Sequence, residues 1–91
     1  MEMTIKEIRM IGKALSTDKR IKLLNLCVNE KYNLTELKKK IGLTIQSISH
    51  YVRELKEAGL IETEEVINEK GKNIIVRSIF EVTAKGTLNK L

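Results

Sequence analysis

The chain has 91 residues, 42% of them apolar and 32% charged, a composition that excludes a disordered polymer and allows one small core. Its net charge of +5 permits a nucleic-acid partner without proving one, and its single cysteine excludes an internal disulfide and a cysteine-rich zinc site. No apolar run approaches the ~20 residues that span a bilayer, and the opening MEMTIKEIRM lacks the apolar core of a secretory signal, so a cytoplasmic location is expected.

Residues 4 to 15 read as a first helix, with Ile5, Ile8, Ile11 and Leu15 on one stripe and Met3, Met10 and Ala14 near a second. Two stripes exceed what a small core covers, which predicts a homodimer joined through this helix. Ser16, Thr17 and Asp18 interrupt the pattern and supply caps for a second helix over about 18 to 29. Its predicted inner face is Ile21, Leu24, Cys27 and Val28, with Leu23 and Leu26 widening the arc. Cys27 therefore reads as a small buried apolar residue. Lys31 to Asn33 read as a connection. Asn33 and Glu36 then form a capping-box pattern ahead of a short helix from Leu34 to Ile41.

Gly42 is suited to a tight turn with positive φ, and Leu43 to plugging the gap beside it. Thr44 is a good N-cap, Gly59 a good helix stop, and between them Ile48, Val52 and Leu55 recur at helical spacing, with Ile45 and Tyr51 at the margins. The other face carries Gln46, Ser47, Ser49, His50 and Arg53, short polar groups that suit base edges in a DNA major groove. A helix, a glycine turn and a second amphipathic helix form a helix-turn-helix over residues 34–58.

After Gly59 the period changes to that of strands. Leu60 to Ile67 and Ile74 to Val82 flank a polar turn, 68–73, and predict a hairpin over 60–82, the wing of a winged helix. Thr83 to Leu91 reads as a final short helix or tail whose only large apolar residues are Leu88 and Leu91, both assigned to the dimer interface. The fold class expected is mainly α with a small β-hairpin, in one domain over residues 1–91.

Charge is unevenly spread. Residues 31–58 hold six basic against three acidic side chains, whereas residues 59–78 hold three against four. Lys38, Lys39 and Lys40 read equally as phosphate contacts or as a solubilising run, and Lys70 and Lys72 at the hairpin tip as phosphate or minor-groove contacts. Gln46 suits paired bonds to adenine, and Arg53 suits guanine or phosphate. His50, the only histidine, has neither metal partners nor a nucleophile beside it, and its protonation would change its attraction to phosphate.

The runs Arg20-Ile21-Lys22-Leu23-Leu24, Leu34-Thr35-Glu36-Leu37, Ile41-Gly42-Leu43-Thr44, Ser47-Ile48-Ser49-His50-Tyr51-Val52 and Leu55-Lys56-Glu57-Ala58-Gly59-Leu60-Ile61 resemble the ArsR-type winged helix-turn-helix repressors. The closing Phe80-Glu81-Val82-Thr83-Ala84-Lys85-Gly86 resembles the end of their wing. This resemblance implies a dimer on a pseudo-palindromic double-stranded operator, with residues 45–58 as recognition helix. Metal-sensing members carry Cys-x-Cys before the turn, where this chain has Asn33 and Thr35, and others use Asp, His and Glu on a C-terminal helix, absent from TAKGTLNKL. The metal-sensor role is therefore not carried over, and no cofactor is expected. No catalytic constellation is evident, so an enzyme is not expected. The rival readings are a winged-helix protein-interaction module and a sequence-tolerant chromatin-type DNA binder.

Overall fold

The computed structural model describes residues 2–91. Among them, α1 spans Ile5–Ala14, α2 Asp18–Leu26, α3 Leu34–Ile41 and α4 Ile45–Glu57. The strands are β1 (Tyr32–Asn33), β2 (Ile61–Asn68), β3 (Gly71–Ser78), β4 (Phe80–Val82) and β5 (Leu88–Lys90).

Each helix starts where a side-chain oxygen meets a backbone N–H that would otherwise have no partner. Thr4, Thr17 and Thr44 accept from the backbone of Glu7, Arg20 and Ser47. Asn33 and Glu36 complete a reciprocal capping box at the start of α3. Gly42 closes α3 with φ 78° and ψ 41°, a left-handed conformation in which a Cβ would be strained, and its N–H donates to Lys38 O at 2.9 Å. That turn aims α4 away from α3 while Leu43 packs half-buried against the core.

The core is built from Ala14, Leu23, Leu24, Cys27, Leu37, Ile48, Val52, Leu55, Leu60 and Val76, with Tyr32, Ile41 and Ile61 at its edge. Ile48, Val52 and Leu55 form the inward stripe of α4, as their spacing predicts. On α2 the inner face is rotated from the expected one. Leu23 is fully buried beside Leu24 and Cys27, whereas Ile21 and Val28 are only half-buried. The helix also ends at Leu26 rather than near Asn29, because the N–H groups of Cys27 and Val28 turn back to Leu24 and Asn25 three residues earlier.

Residues 31–33 are more than a connection: Tyr32 and Asn33 pair antiparallel with Val76 and Ile75, giving a sheet of order β1-β3-β2. Thr83 to Leu91 forms no helix. A turn closed by Gly86 N–H to Thr83 O, 2.8 Å, sends the chain back so that β5 pairs with β4. This second hairpin is fastened to α2 by Asn25, whose amide donates to Val82 O at 3.0 Å and accepts from Val82 N–H at 2.9 Å. Leu88 thereby packs half-buried on the core, while Leu91 stays exposed.

The wing is the β2–β3 hairpin, tighter at its tip than the predicted six-residue turn. Asn68 pairs with Gly71, and only Glu69 and Lys70 lie between them. Val76 and Ser78 anchor its base. The buried Ser78 hydroxyl donates to Leu24 O, and its N–H donates to Cys27 O at 3.0 Å. From Glu64 to Lys72 the side chains are exposed, so the tip stands clear of the core.

Candidate nucleic-acid interface

Helical geometry sets Gln46, Ser49, His50 and Arg53 on one side of α4, at spacings of three, four and seven residues. All are exposed. Thr44 and Ser47 sit differently. The Thr44 hydroxyl caps the helix and also donates to Ser47 Oγ at 3.0 Å, and Ser47 is half-buried. Lys38 and Lys39 are exposed on the last turn of α3.

Between α4 and the wing lies a groove of about 230 Å³, lined on its polar side by Ser49, Arg53, Lys56 and Thr63. Lys56 was missed among the candidate contacts. Its position seven residues after Ser49 and three after Arg53 was the signal that could have found it.

The wing is less available to phosphate than its lysines suggest. Lys72 is held by Glu65 at 2.8 Å, and Arg77 by Glu62. Lys70 remains exposed at the tip, where its backbone N–H donates to Asn68 Oδ1.

Behind the exposed face lies a charged group that the hydrophobic pattern did not reveal. Glu54 is on α4 yet only 7% exposed. Its Oε1 accepts from Arg20 Nε at 3.3 Å and from a terminal Arg20 nitrogen at 2.9 Å. His50 Nε2 lies 3.1 Å from the same oxygen, and the Lys13 ammonium 3.8 Å from Oε2. Burial pushes the Glu54 carboxyl upward. The Arg20 hydrogen bonds and charge, helped by Lys13 and by His50 whenever its ring is protonated, outweigh it and hold the carboxyl below its ordinary range. Arg20 also lies over the Tyr51 ring, 4.2 Å from its centroid. Helix α4 is thus tied to α2 by a buried ion pair.

The residues assigned to a dimer interface fall into two groups. Ile5, Ile8 and Leu91 are 69%, 55% and 57% exposed, whereas Ile11, Leu15 and Leu88 pack against the core. An apolar groove of about 490 Å³ runs between α1, the end of α4 and the β4–β5 hairpin, lined by Met3, Ile8, Ile11, Leu60, Phe80 and Leu88. Among the described residues no three metal-binding side chains converge, and no helix is long and apolar enough to cross a membrane.

No family model matches the sequence. The chain is similar to the uncharacterized protein MJ0432 of Methanocaldococcus jannaschii, 34% identical over 68 residues that cover 74% of this chain and 70% of that protein. Its fold is similar to that of the transcriptional repressor BigR from Xylella fastidiosa, with TM-score 0.64 and 28% identity over 89% of this chain and 76% of the other. It is also similar to the homodimeric winged helix-turn-helix DNA-binding domain Mb0332 from Mycobacterium bovis, a candidate ArsR-family regulator. There the TM-score is 0.69 at 22% identity, over 81% of this chain and 65% of the other. The chain therefore belongs to the same family as the M. jannaschii protein, and its fold is that of the ArsR-type winged helix-turn-helix transcriptional regulators.

Proposed function

We propose that this chain is a sequence-specific double-stranded DNA-binding transcriptional regulator, acting as a homodimeric repressor that occupies a pseudo-palindromic operator. The observation that carries the reading is the groove between α4 and the wing, where Ser49, Arg53 and Lys56 lie side by side. A rigid helix with short polar groups fits the major groove, and cations at its edge fit the flanking phosphates. Gln46, Ser49 and Arg53 take the base-reading role. Lys38, Lys39, Lys56 and Lys70 take positioning roles on phosphate, and the Thr44–Ser47 pair chiefly sets the start of the helix. His50 faces the same side and lies within hydrogen-bond distance of Arg53.

The apolar groove beside α1 supports the dimer. Exposed Ile8 lines it, Ile5 is exposed on the same helix, and the similar Mb0332 domain is homodimeric. A two-fold arrangement would set two recognition helices about 34 Å apart, one turn of duplex.

One observation favours a second reading. The wing carries a net negative charge and presents Ile67, 80% exposed, near its tip, which suits a protein surface better than phosphate.

The test is fluorescence anisotropy on a duplex from upstream of the protein's own gene, with wild type and Arg53→Ala, at several salt concentrations and with scrambled duplex as competitor. Salt-sensitive binding that resists the competitor and weakens in Arg53→Ala is expected. Equal affinity for both duplexes would indicate chromatin-type binding, and no binding at low salt would favour the protein-docking reading.

A further inference from the structure

His50 is the only histidine in the chain, and both of its ring nitrogens are engaged. Nε2 lies 3.1 Å from Glu54 Oε1, and Nδ1 lies 3.1 Å from a terminal nitrogen of Arg53. The chemistry of the partners decides where the ring proton sits. A guanidinium only donates, so Nδ1 must accept; an ionised carboxylate only accepts, so Nε2 must carry the hydrogen. Both contacts together require the neutral imidazole in its Nε2–H form.

The anchor of this chain is firm. Glu54 is buried and fixed by Arg20, itself 14% exposed and stacked over Tyr51. From α2 outward the order is Arg20, Glu54, His50, Arg53. The histidine thus joins a buried ion pair to an exposed arginine in the groove.

We propose that His50 is a positioning residue for Arg53. In its neutral Nε2–H form it holds the guanidinium in one place on the exposed face of α4, and a proton on Nδ1 releases it. The proposal rests on the DNA reading of that groove and adds its regulation. The groups facing the ring are Arg53, Glu54 and Tyr51 from α4, with Arg20 of α2 and Lys13 of α1 behind Glu54. A second proton sets donor against donor at Nδ1 and a positive charge beside Arg53, while the bond from Nε2 to Glu54 persists. The released arginine loses its fixed aim, and the new imidazolium attracts any phosphate. Acidification therefore lowers discrimination between operator and unrelated DNA rather than binding as such.

Two measurements test this. The first needs no DNA. Because there is one histidine, its imidazole nitrogen signals in the NMR spectrum are unambiguous, and the Nε2–H tautomer is expected. The Arg53 side-chain N–H should be ordered when His50 is neutral. It should become mobile in acid and in His50→Ala, and stay more ordered in His50→Asn, whose amide oxygen can still accept. An Nδ1–H tautomer, or an Arg53 whose order ignores both acid and His50→Ala, overturns the positioning role. The second measures the ratio of affinities for operator and scrambled duplex as the pH is lowered from about 8 to about 5. The ratio should fall about tenfold in wild type, within the worth of one good base contact, and stay flat in His50→Asn. An equal fall in that variant overturns the proton link. Absence of binding to any duplex would overturn the DNA reading and the proton link with it, while the NMR arm decides the positioning role independently.

Discussion

The guanidinium of Arg20 on α2 lies between the Glu54 carboxylate, 2.9 Å from one terminal nitrogen, and the Tyr51 ring, 4.2 Å from its centroid. Removing one member of such a pair leaves the other buried without its partner, which costs about 3–5 kcal/mol, whereas replacing both with apolar groups is often near neutral. Arg20→Met and Glu54→Leu should each lower the urea midpoint strongly, and the double variant should recover most of the loss. A double variant as weak as the sum of the singles would show that the two residues act independently.

Acid should expose the same pair. The carboxyl of Glu54 is held below its ordinary value of 4.5, so its stabilisation is complete above that value and is lost as pH falls through the lowered folded value. The stability gap between wild type and Glu54→Gln should therefore narrow in acid. Parallel curves down to the lowest pH would contradict this assignment.

Asn25 fastens the C-terminal hairpin through two bonds to the backbone of Val82. Asn25→Ala should cost about 1–3 kcal/mol, because the Val82 N–H and C=O lose their partner together. Amide exchange at Val82 should quicken more than at Val76 in the wing. Uniform quickening would mean that the clasp serves global stability only.

The Cys27 thiol is buried, and burial pushes it up to about 12. Near pH 8 a thiol reagent should react only as fast as the core opens, and added denaturant should release one equivalent. The raised value also means that stability is lost as pH rises from 9.0 toward the folded value. Immediate reaction of the native protein would place the sulfur at the surface.

Exposed Ile8 borders the apolar groove beside α1. If this groove joins the proposed homodimer, Ile8→Glu should give a monomer in light scattering and weaken binding to the proposed operator while leaving the melting of each chain little changed. A dimer that survives both Ile8→Glu and Ile5→Glu would move the interface elsewhere.

The helix-turn-helix was legible in the sequence because its signals are local. Asn33 with Glu36, Gly42 and Thr44 each satisfy backbone groups within four residues, and the Ile48, Val52, Leu55 stripe needs only helical spacing. What was missed depends on distant partners. Two residues of β1 are too few to show a period and become a strand only because Val76 and Ile75 come alongside. The β4–β5 hairpin likewise depends on Asn25. Glu54 reads as a solvated helix residue until Arg20, far away in the chain, reaches it. The face of α4 was legible as a surface, but its division of labour was not, since the bonds of His50 to Arg53 and Glu54 depend on rotamers that spacing does not fix.

Strand β3 is held on one side by β2, its neighbour across a two-residue turn, and on the other by β1, which precedes the helix-turn-helix. Asn33 belongs to both units, ending the β1 ladder and capping α3. The two pairings differ in kinetic character. The β2–β3 ribbon can zip from its own turn, whereas β1 can dock only after the intervening helices have brought the chain ends together. Helices α3 and α4 are therefore not an excisable cassette. A fragment cut before β3 would lose the strand against which α3 begins, and the sheet would close last, as the latch on an already collapsed helical core.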